Sequence, residues 1–136
     1  MDIEKLKRKR QKNVQEQNAL KKHYMRELAI DFRESPEEYI WLRNVLTQNS
    51  LDVNQGILIS LSGCLEQGPV EECSAVWISS DSRFYELIVI LKYGTQEIDE
   101  IESVTEITDS IEINAHQRGT GKSFGQLAIE LIRELL

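Results

Sequence analysis

Between Asp2 and Phe32 the chain contains neither glycine nor proline and is rich in Lys, Arg, Gln, Glu, Leu and Ala, residues that give up little freedom on entering a helix. The apolar positions in this stretch are unevenly spread. Ile3, Leu6 and Val14 stand apart in the first half, whereas Leu20, Tyr24, Leu28 and Phe32 recur at four-residue steps in the second, with Met25 and Ala29 beside them. That spacing predicts one long helix whose second half packs on a body, with residues 1–18 projecting as an arm and 19–136 forming a single domain. In "ESPEEYIWLRNVLTQNS", Ser35, Pro36 and Glu38 have the spacing of a capped helix start. Leu42, Val45 and Leu46, flanked by Tyr39 or Trp41, give this second helix one buried face.

The period then shortens to two. Ile57, Ile59 and Leu61 alternate with smaller residues in "GILISLSGCL", "CSAVWIS" is β-rich, and "FYELIVILKY" is apolar on both sides, as a central strand requires. "EQGPVEE" and "SSDSR" read as the turns between them. In "SVTEITDSIEIN", Ile107, Ile111 and Ile113 share a side, which fits either one long strand or a hairpin about Thr108–Ser110. The segment "TQEIDEIES" fits a strand or a helical turn equally. Finally, "SFGQLAIELIRELL" opens with Ser123 and Gln126 at capping-box spacing and repeats Leu127, Leu131 and Leu135 with Ala128 and Ile132 alongside. The expected fold is α+β: two N-terminal helices, the first long and basic, a four- to five-stranded antiparallel sheet, and a C-terminal amphipathic helix packed on the sheet.

With 136 residues, 40% of them hydrophobic and 29% charged, the chain has enough apolar material for a core without metal or disulfide staples. Its longest apolar runs, such as "LIVIL", are too short to cross a bilayer, and its basic N-terminus lacks the apolar stretch of a secretion signal, so a cytoplasmic protein is expected. The net charge of -7 hides a division. Residues 1–26 carry nine Lys/Arg against three acids, a balance of +6, and residues 27–136 carry seven against twenty, a balance of -13. Arm and body therefore present opposite signs to any partner.

On the arm, Lys5, Lys7, Arg8, Lys9, Arg10, Lys12, Lys21, Lys22 and Arg26 are candidates for contact with an acidic protein surface or with nucleic-acid phosphates. The arm has no interleaved aromatic residues and no base-reading motif, which favours the protein partner. On the body, the acids of "EIDEIESVTEITD" lie between apolar residues as a solvated face would, a surface for a basic partner.

The other candidate lies in "GTGKS". The glycine that a nucleotide-binding P-loop needs five residues before its Gly-Lys pair is His116 here. The run Arg118-Gly119-Thr120-Gly121-Lys122-Ser123 resembles the pyrophosphate-binding turn of the acetyl-coenzyme A dependent N-acetyltransferases, which carry Arg-Gly-x-Gly-x-Gly or Ala there. Ser123 replaces the last small residue, and the strands that complete the coenzyme site in that family do not follow. What the resemblance implies is at most a degenerate acyl-coenzyme A or phosphate-ligand site. In physical terms Arg118, Gly119, Gly121, Lys122 and Ser123 suit an anion at a helix start, and suit equally a tight strand-to-helix turn whose basic residues offset nearby acids.

Cys64 and Cys73 flank the "GPV" turn and would face one another if the strands pair in that register, either as a cross-strand disulfide or, more simply, as two partly buried thiols. His23 and His116 stand in charged surroundings without a nucleophile near them in sequence. No catalytic residue, metal site or cofactor is expected. The functional expectation is a non-enzymatic protein-binding module, such as an inhibitor, immunity-type protein, adaptor or assembly factor, that uses an acidic surface and a basic N-terminal helix, with self-association as a further use of the helix. The alternatives are phosphate binding to nucleic acid through that helix, and the degenerate ligand site at residues 118–123.

Overall fold

The computed structural model describes residues 2–67, 69–108 and 122–136, without the side chains of Val14 and of residues 63–67. Helix α1 runs without interruption over Ile3–Glu34. Asp2 starts it: its carboxylate accepts from the N–H groups of Glu4 at 3.0 Å and Lys5 at 3.3 Å, donors that lack a preceding helical turn. The helix stops ahead of Pro36, whose ring disfavours helical backbone in the residue before it. A 3-10 turn over Pro36–Tyr39 leads directly into α2, Ile40–Gln48. The capping box expected at Ser35 does not form. Ser35 is already the terminus of α1, giving its N–H to the Asp31 carbonyl at 2.9 Å, and its hydroxyl donates to the Asp31 carboxylate at 3.4 Å.

Four strands follow: β1 Gly56–Gln67, β2 Val70–Ser79, β3 Phe84–Lys92 and β4 Ile98–Ile107. They form an antiparallel sheet in chain order, β1-β2-β3-β4. The segment that fitted strand or helix equally thus supplies the first part of β4, from Ile98 on, and a fifth strand at Ile111 and Ile113 would lie outside the described residues. The chain closes with α3, Phe124–Leu135, and here the predicted capping box is present. The Ser123 hydroxyl accepts from the Gln126 N–H at 3.2 Å, and the Gln126 side chain accepts from the Ser123 N–H at 3.0 Å.

Alternation along the strands gives the sheet two faces. On one, Leu58, Ala75, Trp77, Leu87, Val89 and Leu91 meet Trp41, Leu42, Val45 and Leu46 of α2. On the other, Ile57, Ile59, Ile78 and Phe84 meet Leu127, Ala128, Leu131 and Ile132 of α3. Helix α1 passes along β1 and contributes to both cores, Met25 and Ala29 to the α3 side and Phe32 to the α2 side.

Two sequence expectations are corrected by this packing. Leu20 and Tyr24, placed on the same stripe as Phe32, are 52% and 62% exposed. Four-residue steps advance about 40° beyond a full helical turn each time, so a strict run of four winds off the body, and the buried side follows mixed steps of three and four, Met25, Ala29 and Phe32. Leu61, expected beside Ile57 and Ile59, is 42% exposed and lies opposite Ala75 on the α2 face. A bulge between Leu58 and Ser60 inserts one residue and reverses the alternation beyond it.

Candidate functional site

Of the nine basic residues proposed for partner contact, the first six project from the body. Lys5, Lys7, Arg8, Lys9, Arg10 and Lys12 are exposed on a part of α1 where, among the described side chains, Asn18 is the first to be partly covered. The helix puts Lys5, Arg8, Lys9 and Lys12, at positions i, i+3, i+4 and i+7, along one side. Arg8 approaches Glu4 at 3.7 Å, but both side chains remain about four-fifths exposed, so the pair does little to neutralise the surface.

Farther along α1 the basic residues behave differently. Lys21 is half-buried. Lys22, whose side chain is 19% exposed, donates to Glu134 at 2.5 Å and to Glu130 at 3.3 Å, both on α3. Arg26 donates to the other oxygen of Glu134 at 2.6 Å. The bond to Glu134 raises the Lys22 pKa above its ordinary value, more than partial burial lowers it. Lys22 first and Arg26 second hold the Glu134 carboxyl below the usual range, while Lys122 first and Lys22 after it do the same for Glu130. Lys22 and Arg26 thus clamp α1 to α3. Their charges are largely matched within the molecule, which local spacing could not reveal because the partners lie more than a hundred residues away.

Three acids of the body, Glu72, Glu100 and Glu102, gather where α3 does not reach. Helix α3 and α1 cover one end of their sheet face. Toward the other end runs the row Ser62–Ser74–Ile88–Ser103, and next to it Glu72, Ile90 and Glu100 are successive partners across β2, β3 and β4. Ile88 and Ile90 belong to neither core and are half-buried, while Glu100 and Glu102 are exposed. Glu72 and Glu102 lie near enough that the charge of Glu72, chiefly, raises the pKa of the Glu102 carboxyl. The result is a strip with an apolar middle and an acidic border that no described helix packs on.

The glycine-rich turn is only partly within view. Arg118, Gly119 and Gly121 lie outside the described residues. Lys122 donates to Glu130 at 2.6 Å, and Ser123 is buried as the cap of α3. The two members that are described therefore serve the helix itself. His23 is exposed and meets Glu27 at 3.0 Å, while His116 lies outside the described residues. Cys73 is buried on the α2 face; the ladder is irregular between Ser62 and Leu65 opposite it, and the Cys64 side chain lies outside the described residues. Among the described residues no three His, Cys, Asp or Glu side chains gather as metal ligands, and no helix is long and apolar enough to cross a membrane.

No known family model matches the chain, and neither a curated protein nor a solved structure matches it.

Proposed function

We propose that the protein is a non-enzymatic protein-binding module that receives a basic partner on the open strip of the sheet and uses the basic arm as a second contact. The observation that carries this reading is the separation of charge on two surfaces: an exposed arm bearing Lys5, Arg8, Lys9 and Lys12 along one side, and a sheet strip where Ile88 and Ile90 are bordered by Glu72, Glu100 and Glu102. Apolar surface with like charge along its border suits a docking patch: the isoleucines supply area to desolvate and the acids steer and select the partner. A second reading, nucleic-acid binding, is favoured by the one-sided basic row on the arm, which suits a line of phosphates. An acidic body disfavours it beyond the arm's own length.

Affinity capture from native lysate, with and without nuclease, separates the two. The full chain is compared with a chain lacking residues 1–17 and with a Glu72→Lys/Glu100→Lys variant. A defined protein that survives nuclease and is lost with the Glu72→Lys/Glu100→Lys variant supports the module. Recovery that requires nucleic acid and the arm, and ignores the sheet variant, sinks it.

A further inference from the structure

The open strip and the projecting arm carry one pattern with opposite charge. On the strip, Ile88 and Ile90 follow one another along β3, Glu72 stands beside Ile90 on β2, and Glu100 stands beside it on β4. Glu102, also on β4, feels the charge of Glu72 first and that of Glu100 last. The apolar row therefore has acids on both neighbouring strands. Elsewhere along this part of the sheet the acids are matched: Glu97 meets Lys92 at 2.9 Å and Glu106 meets Arg83 at 4.0 Å. Among the described residues no Lys or Arg forms an ion pair with Glu72, Glu100 or Glu102, and the three are left facing one another.

On the arm, Ile3 and Leu6 are 65% and 49% exposed. At 3.6 residues per turn they share a side of α1 with Arg10, while Lys7, four after Ile3, and Lys9, three after Leu6, flank that side. An apolar pair edged by cations thus stands in solvent. The arm does not reach the strip of its own chain: α1 is unbroken over Ile3–Glu34, the Lys22 and Arg26 pairs hold its second half on α3, and the described side chains of residues 3–17 are exposed. Doubling back would break the helix. Nor do two arms suit each other, since residues 1–17 carry six Lys/Arg against three acids and like charges repel.

Resting on the reading of the strip as a docking surface, we propose that its occupant is the N-terminal arm of a second copy of this chain, with Ile3 and Leu6 against Ile88 and Ile90 and Lys7, Lys9 and Arg10 toward Glu72, Glu100 and Glu102. Laid along β3, the apolar side of the arm covers the isoleucines and its flanking cations meet the acids of β2 and β4. Residues 3–17 span about 22 Å as a helix, so an arm extends onto a second copy while its packed half stays on its own body. Two copies that exchange arms form both contacts at once and close as a symmetric pair. A single helix on a narrow strip is a small interface, so concentration and salt govern the association.

The test is the mass of the full chain in solution, by sedimentation equilibrium over a range of concentrations in low and in high salt. The expected result is a mass that rises above one chain in low salt and returns to one chain in high salt or when residues 1–17 are removed. Two charge-reversed variants, Lys7→Glu/Arg10→Glu on the arm and Glu100→Lys/Glu102→Lys on the strip, change only exposed side chains and keep the fold. Each is expected to self-associate at least about tenfold more weakly, because like charges then face each other. Mixed together they are expected to associate again, since each offers the complement of the other, and that recovery also shows that both are folded. A chain that stays single at every concentration, a strip variant that self-associates as well as the unmodified chain, or a mixture that does not recover overturns the proposal. The docking reading fails separately: a single chain that still captures a defined protein, lost with Glu72→Lys/Glu100→Lys, keeps the docking surface and overturns only the second copy as its occupant.

Discussion

The two halves of α1 are one helix held in two ways. From Asn18 to Glu34 it is pinned by Met25, Ala29 and Phe32 in the cores and by the Lys22 and Arg26 pairs to α3. From Ile3 to Gln17 the described side chains are exposed, and the supports are the Asp2 cap, the Arg8–Glu4 pair and helix propensity. An isolated segment of that length is marginal as a helix because its first turn is costly to form. Here the packed half supplies that turn, and the arm only extends it. The packed half therefore belongs to the fold, whereas the arm is available for contact. The same basic residue types consequently do different work: Lys22 closes the body, and Lys5 faces solvent.

This contrast is sharpest where the packed half is cut. Phe32 touches the rings of Tyr39 and Trp77 edge-on, at 5.5 Å and 5.4 Å between centroids, and carries Arg43 above it. Phe32→Ala is expected to cost about 3–5 kcal/mol in urea unfolding. Lys22→Ala removes two bonds at once and is expected to cost about 1 kcal/mol. The clamp also sets a pH window. The folded pKa values of Glu130 and Glu134 are depressed, so their stabilisation is present above the ordinary carboxylate range, about 4.3, and is lost as pH falls through the depressed values. The Lys22 value is raised, so its contribution is complete below about 10.4 and is lost as pH rises through the folded value. Lys22→Ala is therefore expected to flatten the stability profile below pH 5 and above pH 10.

A break in the arm should do much less to the body. Proline in a helix interior costs about 3 kcal/mol locally, so Gln11→Pro is expected to lower helical ellipticity. Because the arm buries so little, the free energy of urea unfolding should change by under about 0.5 kcal/mol, with a correspondingly small shift of the midpoint. If Gln11→Pro moves the midpoint as far as Lys22→Ala does, the arm is coupled to the body and the contrast between the halves fails.

What could be read in the sequence was what neighbouring residues determine. The boundaries of α1, the cap of α3 by Ser123 and Gln126, and the apolar centre of β3 all follow from local spacing and turn chemistry. Features set by distant parts of the chain were out of reach. The bulge that sends Leu61 to the other face depends on the register with β2, and the ion pairs of Lys22 depend on where α3 settles. Opposed surfaces were legible as charge blocks. Their shapes were not, because which acids border Ile88 and Ile90 is decided by pairing across three strands.

The smallest expected effect lies on the open strip and has the opposite sign to the clamp. The raised pKa of Glu102 comes first from the charge of Glu72 and then from desolvation, so at neutral pH two carboxylates repel on the folded surface more than in the unfolded chain. A carboxyl with a raised folded pKa favours the fold only while protonated, and that contribution disappears as pH rises through the folded value. Glu102→Gln removes the repulsion. Its thermal midpoint at pH 7 is expected to lie slightly above that of the unmodified chain in low salt, and the difference should shrink as pH falls and as salt screens the pair. A lower midpoint would mean that Glu102 makes a favourable contact in the folded state. The expected gain would instead mark a site where the isolated protein tolerates unrelieved charge, which is the condition under which a basic partner binds most favourably at Glu72 and Glu102.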